Sequence, residues 1–270
     1  MAGRGQETIQ NPCTKWFKWS GSTGVVSYYD KLTKENVEVK LPFTFLLLDV
    51  LATIKGYDEG SKSSIWSNEV RDIKGSIMTV KIGSDVLASG HYQDIKAAVV
   101  AKGGGYASSC YIAFKDESGK LAIGNMMMTG SSLGGGKHLP ADKNMKDVEV
   151  GAWIEFSKGN KEMYKKAIQV AKDERICTQG ATKFYCPKFT LIETTPETDK
   201  AAIELNNELQ TYLETYLKIE AKPVEAAAVV EPVTKEQHFE NNSAATPFVK
   251  PTETATQVVI NEDDGSDLPF

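Results

Sequence analysis

The stretch Leu41-Pro42-Phe43-Thr44-Phe45-Leu46-Leu47-Leu48 decides the fold class of this chain. Five of the six residues that follow Pro42 are large and apolar, and none is charged. A short apolar run that begins at a proline is typical of a β-strand buried on both faces. The sequence therefore predicts a mostly β body with a central strand that starts at Phe43.

Strand patterns lie on both sides of this run. Lys15–Trp19 and Val25–Asp30 flank the turn-rich segment Ser20–Gly24, which predicts a hairpin. The other predicted strands are Val37–Val39, Ile77–Ile82, Ser109–Lys115, Leu121–Met127, Val148–Ser157 and Phe184–Glu193. Helical spacing predicts helices over Tyr92–Lys102 and Met163–Lys172, and the polar segment Tyr57–Arg71 is predicted to be a long loop.

The order strand, strand, strand, helix, strand, strand is that of the OB-fold, a small five-stranded barrel. We therefore predict a mainly β fold, an OB-fold-like Greek-key barrel enlarged by extra hairpins. An apolar stripe from Thr195 to Ile219 predicts a C-terminal amphipathic helix, which packs either on the barrel or on a second chain as a homo-oligomer. The chain then divides into a flexible N-terminus (1–12), the barrel (13–194), the helix (195–220), a disordered linker (221–261) and a terminal tip (262–270).

The net charge of −5 conceals two regions of opposite sign. Residues 1–192 carry 26 basic and 20 acidic side chains, whereas residues 193–270 carry 5 and 16. This charge distribution favours a protein whose body binds nucleic acid and whose tail imitates a polyanion or recruits partners. The alternative is that the acidic tail is only a solvated linker. No stretch is long and apolar enough to span a bilayer, so we expect a cytoplasmic protein without membrane contact.

The sequence shows no recognisable catalytic or cofactor motif. The four cysteines and three histidines lack the close spacing of metal ligands, so we expect reduced, packed thiols and neither metal nor cofactor. The segment Gly130–Lys137 departs from a phosphate-binding loop, because Ser131 and His138 stand where that motif needs Gly and Ser or Thr. It predicts a flexible loop whose Lys137 contacts DNA phosphate, in a protein that is not an enzyme.

Basic and aromatic residues alternate along the body. A single-stranded-DNA site needs cations that follow the phosphates and flat rings on which bases stack. One of Trp16 and Trp19 is expected in the core, and the polar neighbours of Trp66 make it the strongest stacking candidate. The predicted DNA-binding residues are Lys15, Trp16, Lys18, Trp19, Tyr28, Tyr29, Lys31, Lys55, Tyr57, Trp66, Arg71, Tyr106, Tyr111, Lys115 and Lys137.

The chain ends in an acidic segment followed by an apolar tip. Asp263, Asp264 and Asp267 precede Leu268-Pro269-Phe270. An exposed terminal Phe in a polar tail contributes nothing to folding, so its presence points to another role. An apolar pocket rimmed by Lys or Arg on a partner would bind such a tip. We predict that these six residues bind other proteins.

Two parts of the chain, the tip and the body, resemble known families. The last nine residues resemble the tip of bacterial single-stranded-DNA-binding proteins, except that Gly265-Ser266 interrupts the acids. The resemblance implies recruitment of replication and repair proteins, and a tip that can fold back over the DNA groove. Leu41–Asp49, Ala52–Tyr57 and Ile65–Val70 resemble single-stranded-DNA-binding proteins of tailed bacteriophages, including relatives of the crAss-like phages. That likeness covers about residues 10–190 and implies an OB barrel.

These observations predict sequence-independent binding of single-stranded DNA in replication, recombination or repair. The body would protect the strand, and the tip would recruit a polymerase, helicase, primase or recombinase, in the host cytoplasm if the protein is phage-encoded. A recombination mediator or strand-annealing protein is the alternative, and it would bind duplex or partner protein as well. A nuclease that uses scattered carboxylates and a divalent metal is the third hypothesis.

Overall fold

The apolar run after Pro42 begins the longest strand of the protein. A computed structural model describes residues 10–140 and 146–220, so the predicted linker and tip lie outside the described residues. The strands of the described part are β1 (Lys15–Ser20), β2 (Val25–Asp30), β3 (Glu35–Val39), β4 (Phe43–Asp58), β5 (Ser63–Ser67), β6 (Met78–Ile82), β7 (Asp85–Gly90), β8 (Gly104–Lys115), β9 (Leu121–Met128), β10 (Gly136–His138), β11 (Val148–Val150), β12 (Ala167–Gln179) and β13 (Thr182–Ile192). The helices are α1 (Tyr92–Ala101), α2 (Trp153–Gly159) and α3 (Pro196–Glu220).

Within the described residues, all thirteen strands join one sheet. Its main path runs β11-β10-β12-β4-β8-β9-β1-β2-β3, and β13 pairs with β12. The strand β4 is long enough to pair with β12 through its first four residues and with β5 through its last four, while β8 lies along most of its length. The pair β1 and β9 is parallel, and the other pairs are antiparallel. The strands β5, β6 and β7 form a branch of the same sheet that begins at the last residues of β4.

The sheet curls until its distant parts touch. The backbone N–H of Tyr185 on β13 donates to the carbonyl of Gly21 in the β1–β2 turn at 2.7 Å. The indole Nε1 of Trp19 donates in turn to the carbonyl of Tyr185 at 3.0 Å. The enclosed face carries the main core, whose largest members include Phe17, Phe45 and Ile112. The predicted fold class is therefore confirmed: the chain is mainly β and barrel-like, with extra hairpins and a C-terminal helix.

From β4 onward, the predicted strands at Phe43 and Ile77–Ile82, the helix at Tyr92 and the two strands after it are present, whereas β5 and β7 were not predicted. Strands β4, β5 and β6 are followed, after the extra strand β7, by helix α1 and then by β8 and β9. Tyr92, Ile95 and Val99 form the buried stripe of α1. The side chain of Val99 packs where β8 and β5 meet, next to Gly104 and Ile65. Trp66, which alternates with the buried Ile65 and Ser67 on β5, stays exposed on the opposite face of the strand.

Helix α3 packs on the outer face of the same sheet. Its Leu209 and Leu213 are fully buried against Leu48, Leu51 and Tyr111. A polar clamp supplements this contact, because Arg71 and Gln210 both bond to the carboxylate of Asp49, at 2.8 and 2.9 Å respectively. Of the two places predicted for the helix, the barrel surface is the one that it occupies here.

Four local predictions are wrong. Tyr57–Arg71 is not a loop, because Ser63–Ser67 forms strand β5 with alternating burial and pairs with β4. Val148–Ser157 is not one strand, because strand β11 ends at Val150 and helix α2 follows. In that helix the rings of Trp153 and Phe156 pack against each other, one turn apart. The expected helix Met163–Lys172 is instead a turn followed by the start of β12, because Ala167, Ile168 and Val170 pair with residues on β4. The predicted flexible loop Gly130–Lys137 contains a short 3-10 helix and reaches into β10.

Candidate nucleic-acid interface

One row of side chains crosses the outer face of the β4–β7 region. Cross-strand register places Lys55 on β4 opposite Trp66 on β5, and Trp66 opposite Lys81 on β6. Tyr57 lies two residues beyond Lys55 and therefore points to the same face. We call Lys55, Tyr57, Trp66 and Lys81 the Trp66 surface. An aromatic ring between two cations is the arrangement that a stacked base and its phosphates require.

The ring of Trp66 is both exposed and held in place. It is 39% exposed, and its Nε1 donates to the carbonyl of Gly83 at 3.1 Å. The ammonium of Lys81 lies 5.1 Å from the ring centroid, within the range of a cation–π contact. Tyr57, 46% exposed, adds a second ring beside it. The strand thus fixes the indole before any ligand arrives, which reduces the entropy lost on binding.

Lys55 and Lys81 carry charges that the described structure leaves available. Neither ammonium has a salt bridge or a side-chain hydrogen bond within residues 10–140 and 146–220. Burial lowers the pKa of the Lys55 ammonium, and the nearby Glu69 carboxylate opposes that shift. A half-buried cation that forms no salt bridge in the described part of the chain is a favourable position for a phosphate, because desolvated charge pairs interact more strongly than exposed ones.

A second exposed group lies on β1 and β2. Trp16 and Lys18 point away from the core because Phe17 and Trp19 point into it. Tyr29 shares their face on β2, and the ammonium of Lys31 lies 4.9 Å from the Trp16 centroid. Trp16 and Tyr29 are 44% and 54% exposed. We call Trp16, Lys18, Tyr29 and Lys31 the Trp16 surface.

Both surfaces belong to the same face of the sheet. The register from β5 through β4, β8 and β9 to β1 puts the side chains of Trp66 and Trp16 on one side. Helix α3 covers part of this face, on β8, β9 and the first half of β4. In strand order, the helix lies between the two surfaces. Each surface is therefore a separate platform, with α3 as the boundary.

Two of the predicted DNA-binding aromatics are instead core residues. Trp19 is buried on the enclosed face, where its indole bonds to the backbone of β13. Tyr111 is buried under α3, and its hydroxyl donates to the Glu69 carboxylate at 2.7 Å. Neither ring has a free face on which a base could stack. The expectation that one of Trp16 and Trp19 is core is confirmed, with Trp19 as the core member.

Other predicted residues lie apart from both surfaces. Lys15 is largely buried, bonds to Glu117 and lies over the ring of Tyr28, which packs edge-on against Phe17. Tyr106 is half-buried near Tyr92. The described contacts of the remaining basic residues differ: Arg71 holds α3 through Asp49, Lys137 pairs with Asp147 at 2.8 Å, and Lys115 is exposed at the end of β8.

Sequence reasoning missed Lys81, the second cation of the Trp66 surface. The segment Ile77–Ile82 was predicted as a strand, and its alternation already placed Lys81 opposite to the buried Val80. The register that brings Lys81 beside Trp66 depends on hairpin pairing between β5 and β6. Such pairing across ten intervening residues leaves no local signal in the sequence.

Among residues 10–140 and 146–220, no group of three or more His, Cys, Asp or Glu side chains could hold a metal ion. All four cysteines are buried and unpaired by disulfides, and burial raises the pKa of the Cys13 and Cys186 thiols to about 12. No helix of the described part has both the length and the apolar character needed to cross a membrane.

Comparisons of the chain with protein-family models, with curated proteins and with solved structures give no match.

Proposed function

We propose that this protein binds single-stranded DNA without sequence preference, through the Trp66 surface and the Trp16 surface. The observation that carries the proposal is the row Lys55, Trp66 and Lys81, in which an exposed, hydrogen-bonded indole lies between two cations. In an OB-like barrel, the outward face of the second and third strands is where oligonucleotides bind. We take β4, β5 and β6 to correspond to the first three strands of such a barrel, and on this correspondence Trp66 and Lys81 belong to the second and third strands.

The chemistry of the two surfaces favours single strands over duplex. A ring that lies on a sheet can stack only with a base that has left its neighbours, and each such contact stabilises binding by about 1–3 kcal/mol. Every base offers a π-face, so stacking is independent of sequence. Lys55 and Lys81, and likewise Lys18 and Lys31, supply the charge that follows the phosphates.

The proposal assigns the tail a separate role. The acids Asp263, Asp264 and Asp267 and the segment Leu268–Phe270 would bind replication or recombination proteins, including a polymerase, helicase, primase or recombinase. This part rests on the sequence pattern and on its resemblance to the bacterial tip. With 41 residues between Glu220 and Glu262, the tip can reach partners while the body stays on DNA.

A salt titration tests the electrostatic half of the proposal. Fluorescence titration with oligo-dT should give a log Kd that rises linearly with log salt concentration, because bound phosphates release counter-ions. Lys81→Gln should reduce the magnitude of that slope by about 0.7, the contribution of one phosphate contact on a single strand. Lys183→Gln, at an exposed position on β13, is the matched control and should leave the slope unchanged. Equal affinity for duplex and single strand would contradict the proposal.

Deletion of Asp267–Phe270 tests the role of the tip. We expect the shortened chain to bind oligo-dT with equal or higher affinity, because four residues and one negative charge are lost from the tail. When its complex with DNA is immobilised, the shortened chain should no longer capture a replication or recombination protein. A chain with Gly265 and Ser266 deleted instead is the control, because it retains the acids and Leu268–Phe270. Undiminished recovery after loss of Asp267–Phe270 would refute partner binding by the tip.

A further inference from the structure

The run Gly103-Gly104-Gly105 contains one glycine that the fold does not need. Gly103 has a positive φ of 86°, and a Cβ there would lie 2.7 Å from the carbonyl oxygen of Tyr57. A Cβ on Gly104 would lie 2.7 Å from the side chain of Val99. By contrast, Gly105 does not have a positive φ, and a Cβ there would meet no atom within 4 Å. Packing and backbone geometry therefore explain only the first two glycines.

The third glycine weakens the strand in which it lies. A glycine inside a strand is destabilising relative to alanine, because it loses more backbone freedom on folding and packs no side chain. A glycine in a strand often marks a bulge, a tight bend or a place where a ligand or another backbone approaches closely. The pairing of β4 with β8 has no irregularity near Gly105.

Gly105 lies in the same row as the Trp66 surface. It is the β8 partner of Lys55, whose other neighbour is Trp66 on β5. Four strands thus carry, in order, Lys81, Trp66, Lys55 and Gly105 on one face. The row thus contains the ring of Trp66 between two cations. Next to the second cation, Lys55, the backbone of Gly105 is uncovered, and the space where its Cβ would lie is open.

We propose that the sugar-phosphate backbone of the bound single strand crosses the sheet directly over Gly105, with a phosphate at Lys55 and the adjoining base on Trp66. This inference rests on the proposed function and specifies the path of the strand on the Trp66 surface. The positive charge of Lys55 favours a polyanion as the ligand. Because Gly105 has no side chain, the sugar-phosphate backbone can approach the sheet closely. Any side chain at position 105 would project into that path.

A substitution series at Gly105 tests the path. Gly105→Ala, Gly105→Thr and Gly105→Ile should weaken oligo-dT binding in that order, and Gly105→Ile should do so by about tenfold, as when one stacking or phosphate contact is lost. Thermal stability should stay equal or rise, because the space is open and β-branched residues favour strands. Thr190→Ile, at an exposed position of β13, is the matched control for an added apolar side chain.

Thiol protection gives a second measurement that does not depend on affinity. The natural cysteines are buried, so iodoacetamide should label mainly the thiol introduced by Gly105→Cys. Oligo-dT should slow that labelling at least about tenfold at saturation, as a site covered by ligand reacts only when the ligand leaves. Unprotected labelling together with wild-type affinity of Gly105→Ile would overturn the path. If Trp66→Ala nonetheless weakens binding, the proposed function stands and only the path is wrong. If Trp66→Ala has no effect, the Trp66 surface does not bind DNA and the path fails with it, whereas the proposed function fails only if Trp16→Ala has no effect either.

Discussion

Replacing both Trp16 and Trp66 by alanine should lower the affinity for oligo-dT by about 30-fold or more. Each exposed indole that stacks on a base contributes about 1–3 kcal/mol, and two such losses add because the rings lie on separate surfaces. The fold should be unaffected, since both rings are more than one-third exposed and point away from the core. Fluorescence anisotropy with labelled oligo-dT measures the affinity, and urea unfolding measures the stability.

The single variants and a matched aromatic control make this result specific. Trp66→Ala and Trp16→Ala should each account for part of the loss, whereas Trp66→Phe should retain stacking but lose the hydrogen bond to Gly83. Tyr164→Ala removes an aromatic ring that is 54% exposed and belongs to neither surface, so its affinity should equal that of the natural chain. A double variant that binds oligo-dT with wild-type affinity would rule out stacking at these surfaces.

Trp19→Ala should have the opposite profile, with a large loss of stability and no direct loss of DNA contact. Trp19 is buried in the main core and bonds to the carbonyl of Tyr185, which joins β1 to β13. Truncation of a buried aromatic residue to alanine typically costs about 3–5 kcal/mol. Guanidinium unfolding of the variant should therefore show a lower free energy of unfolding by that amount.

The neighbouring tryptophan provides the control for that experiment. Trp16 lies three residues earlier on the same strand and on the opposite face, so Trp16→Ala should change the free energy of unfolding by less than about 1 kcal/mol, as is usual for exposed positions. Trp19→Phe should recover most of the packing and lose mainly the hydrogen bond, worth about 1 kcal/mol. Equal stability of Trp16→Ala and Trp19→Ala would contradict the assignment of these two faces.

These paired residues illustrate how far the sequence alone could lead. Alternation along Lys15–Trp19 established that Trp16 and Trp19 face opposite sides of a strand, but it could not tell which side is enclosed. That choice depends on the partner strands, because Phe17 and Trp19 are buried only when β13 and β4 lie against them. The polar neighbours of Trp66 correctly indicated an exposed ring, although they suggested a loop where the structure has a strand.

The mistaken helix and loop share one physical cause. Residues 163–172 and 57–71 contain short polar and apolar alternations that fit a helix, a loop or a strand about equally well. In both cases a strand forms because β4 supplies backbone hydrogen-bonding partners: β12 pairs with its first four residues and β5 with its last four. Backbone hydrogen bonds to a distant strand, and not local preference, decided these segments.

The sequence by itself determined the class of fold, the helix from Pro196 onward and the presence of alternating rings and cations, because these follow from spacing of two or 3.6 residues along the chain. Tertiary structure alone decided which rings remain free, that Lys81 stands beside Trp66, and that Gly105 is open while Gly103 and Gly104 are constrained. These features depend on cross-strand register and on packing between residues far apart in sequence. No local pattern contains that information, since it arises only when the sheet has closed around its core.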